Sequence, residues 1–348
     1  MKKNTLKIIT DKSNWDATLK SIGNYDFYHT FEYHHIGLLS HQTPVLLSYI
    51  EDSTIIALPL LVQKIAQTSY FDATSVYGYS GPISKNISDN FDNNRFIEAL
   101  KIYFEDNNII AVFSRLNPFI NHQNTILKNY GELIQQGSVV NIDLTLGLDI
   151  QRQKYQNRLK THINKSRRNC SIKKAASKED IQRFIQIYYE NMNRVNASKF
   201  YFFDKNYFLE LINSNDFKTE ILLAIDTKTK KAIAGSMFIS TNNIVQYHLS
   251  GCKTEFLSMM PVKLLIDEMR LIATERKLKY FNLGGGLGSN NEDSLFRFKS
   301  SFSKDFKDFY LWKLIVNPKI YEELVASKNF KEDISYFPKY RYLEILIK

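Results

Sequence analysis

Three apolar strands in direct succession constrain the fold of this chain more than any other feature of its sequence. They are TEILLAID (219–226), AIAGSMFIS (232–240) and IVQYHLSG (244–251). The links between them, TKTKK and TNN, are short and polar, which favours antiparallel hairpins. A helix that starts at Pro261 and the strand KYFNLGG (279–285) follow. The pattern predicts an antiparallel meander and a helical crossover to one further strand.

The elements before this meander complete one α/β unit. CSIKKA (170–175) is predicted as a short strand, and Ser177 precedes a helix whose apolar residues recur at helical spacing. A second helix is predicted around NYFLELI (206–212). The resulting order, β-α-α-β-β-β-α-β, is the plan of the GNAT acyltransferase fold, and other α+β folds can also show it.

The first half of the chain repeats this succession of element types. Its predicted strands are 44–50, 54–65, 109–116 and 138–144, and its predicted helices lie around 13–22, 31–39 and 94–106. A repeat of one plan indicates a tandem duplication. We therefore expect an α/β (α+β) fold with two tandem GNAT-like domains, each a mixed, largely antiparallel sheet flanked by helices.

A dense basic segment joins the two predicted domains. Residues 151–174, QRQKYQNRLKTHINKSRRNCSIKK, are rich in Lys and Arg and contain no Asp or Glu. We expect an N-terminal domain at 1–150, a helical and solvated linker at 151–169 and a C-terminal domain at 170–348. The formal net charge of +10 favours a polyanionic partner, such as tRNA, a diphosphate or an anionic membrane surface. A bias in the coding sequence would give the same charge.

The cysteines and histidines do not form a recognisable metal site or disulfide framework. Cys170 and Cys252 are far apart in sequence and belong to no CxxC motif. His34 and His35 would diverge by roughly 100° on a helix, and no nearby carboxylate pattern completes them and His29 as a site. No stretch reaches the roughly 18 apolar residues of a membrane span. We expect a cytoplasmic protein with no metal and no tightly bound cofactor.

A glycine-rich stretch, FNLGGGLGS (281–289), marks the end of the last predicted strand. A dinucleotide-binding loop would require a glycine where Ser289 stands, and a P-loop would require a following Gly-Lys-Ser/Thr. We interpret the stretch as a strand end at which missing Cβ atoms let a substrate approach the main chain of Gly285 and Gly286.

A short helix with a lysine is predicted after the glycines. Ser289 or Asn290 can cap this helix, which places Lys299 on a different face from the apolar residues. Its inward side chains are expected to be Leu295, Phe298 and Phe302. Lys299 could then meet an anion.

Four stretches resemble the FemAB/FemX-like branch of the GNAT superfamily. They are the glycine-to-lysine stretch FNLGGG…SLFRFKSSF (281–302), YGYSGPIS (77–84), LKTHINKSRRNCSI (159–172) and RFIQIYYENMNR (183–194). Members of this branch place two GNAT-like domains side by side and acylate an amine. Some use aminoacyl-tRNA and a peptidoglycan precursor, whereas relatives use acyl-CoA and a nucleotide-linked amino sugar.

The resemblance implies roles for three residues of the second half. Lys299 would contact a substrate diphosphate, Tyr247 would face the substrate, and Tyr207 would match a substrate-contacting tyrosine. Two positions depart from the peptidoglycan branch, because Phe203 and Ser80 stand where that branch usually carries Arg. Guanidinium is the natural partner of a carboxylate, so these departures argue against a peptidoglycan peptide.

The donor is also constrained by departures from family patterns. The loop GCKTEFLSMM (251–260) lacks the Q/R-x-x-G-x-G/A pattern with which GNAT enzymes wrap the pyrophosphate of CoA. The start of a helix at Pro261 would still offer N–H groups to a phosphate. The two-helix arm of several tRNA-dependent members has no counterpart in this chain.

Amide formation requires a neutral amine, a route for its proton and donors aimed at the developing oxyanion. His248 is the most attractive base because imidazole titrates near neutral pH, and Tyr247 beside it is the second catalytic candidate. In a strand these two side chains point to opposite faces. A hydrogen-bonded core histidine is the alternative interpretation. Candidates for holding sugar hydroxyls or the ammonium group are Asp72, Tyr77 and Tyr79.

We therefore expect an N-acyltransferase that moves an acyl group from acyl-CoA to a dTDP- or UDP-linked amino sugar for cell-envelope polysaccharide. The alternative enzyme is an aminoacyl-tRNA-dependent aminoacyltransferase acting on a peptidoglycan precursor. A third possibility is a noncatalytic RNA-binding protein that uses residues 151–174.

Overall fold

The computed structural model describes residues 5–287, 293–332 and 334–343. Its strands are β1 (Thr5–Ile9), β2 (Gln42–Glu51), β3 (Thr54–Lys64), β4 (Phe71–Thr74), β5 (Ile83–Lys85), β6 (Ile109–Arg115), β7 (Glu132–Asp143), β8 (Cys170–Lys174), β9 (Lys218–Asp226), β10 (Ala232–Thr241), β11 (Ile244–Cys252), β12 (Tyr280–Gly284) and β13 (Asp305–Ile315). Its helices are α1 (Lys12–Ile22), α2 (Phe31–His35), α3 (Asn94–Asp106), α4 (Gln123–Leu127), α5 (Leu148–Gln153), α6 (Asn157–Asn169), α7 (Lys178–Arg194), α8 (Lys205–Asn213), α9 (Pro261–Glu275), α10 (Ser294–Lys299) and α11 (Pro318–Ala326).

The chain forms two compact units. Unit 1 consists of Met1–Gln136 and Asp308–Lys348, and unit 2 consists of Gly137–Lys307. This division differs from the expected domains 1–150 and 170–348, because the C-terminal segment returns to unit 1. Among the described helices, none combines the length and the apolar composition that crossing a membrane requires.

Both units follow one plan, as the sequence predicts. In unit 1, β1 to β4 pair antiparallel in order, and β6 pairs parallel with β4 after the crossover through α3. In unit 2, β8 to β11 pair antiparallel in order, and β12 pairs parallel with β11 after the crossover through α9. Each unit adds one further antiparallel strand beside the last, β13 next to β6 and β7 next to β12. The expected repeat of a mixed, largely antiparallel α/β unit is therefore confirmed.

The basic segment is part of unit 2 and not a solvated linker. It forms α5 and α6, and α6 buries Leu159 and Ile163 in the core that α9 supplies with Leu264 and Met269. Asp267 of α9 is buried beneath this helix pair. Its carboxylate binds three arginines, Arg152, Arg167 and Arg270, at 3.6, 3.0 and 3.0 Å. An amphipathic helix with a buried counter-charge explains why so basic a stretch packs into the fold.

A buried ion pair holds the C-terminal segment against the sheet of unit 1. Arg341 Nε lies 2.8 Å from Asp72 Oδ2, and Arg341 also donates to the carbonyl oxygen of Lys64. Gln63 Nε2 donates to the second carboxylate oxygen of Asp72 at 3.1 Å. Asp72 was expected to bind substrate, and the structure instead gives its carboxylate a structural partner.

We predict that Asp72→Asn lowers the free energy of unfolding by roughly 3 to 5 kcal/mol, because it leaves Arg341 as an uncompensated buried charge. Urea unfolding of the variant measures the change. Arg95→Ala is the control, since it breaks an exposed ion pair with Glu51 and should leave the unfolding midpoint nearly unchanged. Equal small shifts in both variants would contradict the prediction.

Candidate functional site

Strands β11 and β12 separate where the glycine-rich stretch begins. They pair parallel through Ile244–Gln246 and Tyr280–Asn282, although β11 continues to Cys252. Gly284 ends β12, and its main chain pairs with Val140 of β7. The main chain of β12 after Asn282 therefore lies where two parallel strands stop pairing. The point at which parallel strands separate is a common place for a ligand in an α/β sheet.

A buried amide pair occupies the point of separation. Asn282 Nδ2 donates to Gln246 Oε1 at 2.8 Å, and the main-chain N–H of Gly284 donates to Asn282 Oδ1 at 2.8 Å. Both amide side chains are buried. Buried polar groups must find partners, so each amide satisfies the other at the position where the ladder between β11 and β12 ends.

A β-bulge follows directly on β11. Tyr247 is opposite Phe238 and Leu249 is opposite Met237, so His248 is the extra residue of the bulge. Bulges redirect side chains and occur often beside active sites. Here the bulge lies just after Gln246, where β11 and β12 part.

Tyr247 and His248, on either side of the start of the bulge, contact different neighbours. The ring of Tyr247 lies 5.8 Å from that of Phe238, and its hydroxyl contacts Ser250 Oγ. Burial raises the pKa of Tyr247 to about 12. The phenol is therefore neutral at physiological pH and can donate a hydrogen bond.

His248 pairs with Tyr207 of α8. Its Nε2 lies 2.9 Å from the Tyr207 hydroxyl, and the two rings are stacked with an interplanar angle of 26°. Burial lowers the pKa of His248 to about 3. The imidazole stays neutral, and a conjugate acid of such low pKa gives little driving force for taking up a proton. The pair brings together two of the residues predicted for the site.

Phe203 extends this pair with an aromatic surface. Its ring stacks on Tyr207 with centroids 4.1 Å apart and an interplanar angle of 12°. The sequence resemblance places an arginine here in the peptidoglycan branch. The structure shows that Phe203 gives the position a planar apolar face in place of a charged fork.

Lys299 lies against the end of β12. Its Nζ donates to the carbonyl oxygen of Gly285 at 2.8 Å, and its side chain is largely buried. Burial lowers the pKa of Lys299 to about 8, and the carboxylate of Asp293 opposes this shift. An ammonium has three N–H donors. The carbonyl oxygen of Gly285 is the acceptor for one of them.

The helix that carries Lys299 differs from the prediction in its start and its inward face. Asp293 caps α10, because its Oδ1 accepts from the main-chain N–H of Leu295 and Phe296. Ser289 and Asn290, the expected caps, lie outside the described residues. Leu295 is 40% exposed and was wrongly expected to point inward, whereas Phe296 is buried. A helix starting at Ser294 turns Phe296 and Lys299, three residues apart, to the same side.

Gly284 has little room beside Lys299. Its φ of +78° is in the left-handed region, and a Cβ placed on it would lie 3.0 Å from Lys299 Nζ. Gly285 and Gly286 follow, both half-buried. Glycine is therefore required at 284 for two reasons, the backbone conformation and the close approach of the ammonium.

The predicted site residues of unit 1 each have different neighbours. Asp72 is held by Arg341. Tyr77 is 41% exposed, and its carbonyl oxygen accepts from the Tyr33 hydroxyl. Tyr79 packs edge-on against Phe309, with the Arg115 guanidinium 5.7 Å above its ring.

Ser80 is wholly buried where the peptidoglycan branch carries arginine. Its main-chain N–H donates to the carbonyl oxygen of Arg115, and its own carbonyl oxygen accepts from Gln123 Nε2 at 2.9 Å. The position supports the chain at Gly81, where a Cβ would meet Gln123 and Leu116. The structure therefore assigns Ser80 to packing within unit 1.

Of the three histidines near the N-terminus, His29 and His34 are buried in the core and His35 is exposed. Burial lowers the pKa of His29 to about 4 and that of His34 to about 3. His34 Nδ1 lies 2.9 Å from the Thr30 carbonyl oxygen, and His35 Nδ1 lies 2.8 Å from that of Phe31. Within the described ranges, no three His, Cys, Asp or Glu side chains converge as metal ligands would.

We predict that Gly284→Ala destabilises unit 2 by more than Gly23→Ala destabilises unit 1. Gly23 also has a positive φ, at +80°, but a Cβ added to it would meet no atom within 4 Å. The loss of unfolding free energy in Gly23→Ala therefore reports backbone strain alone, about 1 to 2 kcal/mol. Combining Gly284→Ala with Lys299→Met should recover part of the excess. Additive unfolding free energies in this double-mutant cycle would rule out contact between the two positions.

Comparisons with known proteins give one family match and several structures of similar fold. Residues 224–310 match the model of the FemAB family. This segment contains Tyr247, His248, Gly284 and Lys299. No curated protein matches the chain in sequence.

Three solved structures have similar folds. A structure of FemX is 13% identical, with 91% of this chain and 99% of that chain covered and a TM-score of 0.70. The C-terminal domain of a putative lysylphosphatidylglycerol synthetase from Agrobacterium fabrum is 13% identical, with 87% and 92% covered and a TM-score of 0.56. L-PGS from Bacillus licheniformis is 12% identical, with 92% and 96% covered and a TM-score of 0.55. The chain thus has the fold of FemX and is similar to the FemAB family over residues 224–310.

Proposed function

We propose that this protein transfers an aminoacyl group from aminoacyl-tRNA to an amine of a peptidoglycan precursor. The observation that carries the proposal is the Lys299 ammonium, which is buried against the glycine end of β12 and donates there to the carbonyl oxygen of Gly285. Lys299 lies within the segment similar to the FemAB family. In that family the corresponding lysine is expected to contact a substrate diphosphate, the group that a buried ammonium would bind most strongly here.

An aminoacyl donor is favoured over acyl-CoA by two observations. One of the structures with a similar fold is named a putative lysylphosphatidylglycerol synthetase, and that name contains an aminoacyl group. The loop before α9 forms a 3₁₀-helix, Thr254–Met259, and lacks the glycine pattern that wraps the pyrophosphate of CoA.

The earlier expectation of a nucleotide-linked amino sugar as acceptor has no support in the family match or in the similar folds. The aromatic face of Phe203 on Tyr207 is the one feature that favours such an acceptor, since a planar ring suits a sugar or a base better than a carboxylate. The nucleotide-linked amino sugar is therefore the alternative acceptor in the assay below.

The chemistry assigned to the site is direct attack. The acceptor amine forms a C–N bond to the ester carbonyl carbon, the ester C–O bond breaks, and the ribose hydroxyl leaves with a proton. Neutral Tyr247 is the proposed donor to the developing oxyanion. His248, with a pKa of about 3, is assigned to orienting the Tyr207 hydroxyl and not to accepting the amine proton.

Two reaction mixtures distinguish the candidates. In one, purified protein receives tRNA charged with radiolabelled amino acid and a soluble peptidoglycan precursor, and we expect label in the precursor. In the other it receives acyl-CoA and dTDP- or UDP-linked amino sugars, and we expect no release of CoA thiol. Thiol release in the second mixture with no transfer in the first would overturn the proposal in favour of the rival.

We predict that kcat/KM for the precursor falls as pH rises through about 8. Lys299 has a depressed pKa, so its ammonium is charged below that pH and loses its charge, and its hold on a phosphate, above it. Lys299→Arg should keep activity at pH 9 relative to pH 7 better than wild type. Lys299→Met should raise KM at neutral pH roughly ten- to a hundredfold, the loss of one charge-assisted hydrogen bond. An unchanged KM would remove Lys299 from the site.

A further inference from the structure

The positive charges of α6 fall into two groups with different surroundings. On one side, Arg167 lies 3.0 Å from Asp267 and 2.5 Å from Glu268, both on α9. Arg152 of α5 lies 3.6 Å from the same Asp267. These arginines are neutralised by the fold and have a structural role.

The second group faces away from those carboxylates. Arg158, His162 and Lys165 recur at four- and three-residue spacing, so they share one side of α6. Lys263 of α9 joins them, with its Nζ 2.9 Å from His162 Nδ1. We call Arg158, His162, Lys165 and Lys263 the basic cluster. Within the described parts of the chain, the ion pairs of α5, α6 and α9 leave out all four residues.

The members of the basic cluster act on one another's pKa. Burial and the neighbouring charges of Lys263, Arg158 and Lys165 lower the pKa of His162. Burial and Arg158 lower the pKa of Lys263. Like charges held close together without a counter-charge cost stability, and a bound anion would relieve that cost.

The cluster lies next to the helix of Lys299. Lys263 Nζ is 5.9 Å from the centre of the Phe298 ring, and Phe298 precedes Lys299 on α10. Arg158 and Lys165 are exposed and lie on either side of His162 along α6, and Lys165 Nζ donates to the carbonyl oxygen of Ser258 at 3.3 Å. The charges are therefore spread over two helices, with exposed members on α6 and a half-buried one, Lys263, next to α10.

We propose that the basic cluster binds backbone phosphates of the RNA that carries the aminoacyl donor, an inference that rests on the proposed function. One phosphate needs one or two cations, whereas several cations spread over two helices match the repeated charges of a nucleic-acid strand. The exposed members would contact the RNA first, and Lys263 would hold the strand where its acylated end approaches α10.

Fluorescence anisotropy with a labelled RNA hairpin ending in CCA tests the proposal. The variant Arg158→Gln/Lys165→Gln/Lys263→Gln should bind roughly tenfold or more weakly at physiological salt, with the slope of log affinity against log salt reduced by about two. Lys154→Gln/Lys160→Gln/Arg168→Gln is the matched control, since it removes three charges from the same segment and leaves the basic cluster intact. Its binding should change far less. Equal losses in the two variants would overturn the proposal.

Two further results separate this inference from the proposed function. RNA binding through the cluster by a protein that transfers nothing from charged tRNA would leave the inference standing and refute the proposed function. If the cluster variant transfers the aminoacyl group from charged tRNA as well as the wild type does, the proposed function stands and the inference about the basic cluster is refuted. If inorganic pyrophosphate binds through the basic cluster and the RNA hairpin does not bind, the ligand is a small phosphate compound and the RNA assignment is overturned. Both variants should unfold at the wild-type urea midpoint, which excludes misfolding as the cause.

Discussion

The candidate site depends on one buried contact, the amide pair of Asn282 and Gln246. These side chains satisfy each other where β11 and β12 stop pairing, and Asn282 also takes the N–H of Gly284. Without this pair, the end of the ladder would leave buried polar groups unsatisfied. The bulge at His248 and the left-handed turn at Gly284 both lie within a few residues of it. The groups proposed for chemistry are thus attached to a single structural break in the sheet.

Lys299 shows that this break is maintained at a cost to stability. Its pKa of about 8, against 10.5 for a free lysine, corresponds to about 3 kcal/mol of unfavourable burial below pH 8. Burial is unfavourable here because the pKa of Lys299 is lowered, so the unfolded chain binds the proton more tightly than the folded chain does. A fold that buries an ammonium at a glycine strand end is expected to recover that free energy when an anion binds.

The sequence allowed prediction of those features that depend on neighbours along the chain. The hairpins of β9 to β11 and the crossover to β12 follow from local patterns. Leu295 was placed wrongly because the helix begins at Ser294 under the Asp293 cap, which shifts its phase. Asp72 and the basic segment were misjudged for another reason. Their partners, Arg341 and Asp267, are 269 and about 100 residues away in the sequence. Periodicity within a short segment cannot predict a counter-charge at such a distance.

The return of the C-terminal segment to unit 1 has a consequence for biosynthesis. The sheet of unit 1 needs β13, whose Leu311–Ile315 pair with β6, and Arg341 must reach Asp72. On the ribosome, unit 1 therefore stays incomplete until β13 and Arg341 have emerged. Strands β8 to β12 of unit 2 precede both in the sequence, so unit 2 can fold before unit 1 is complete.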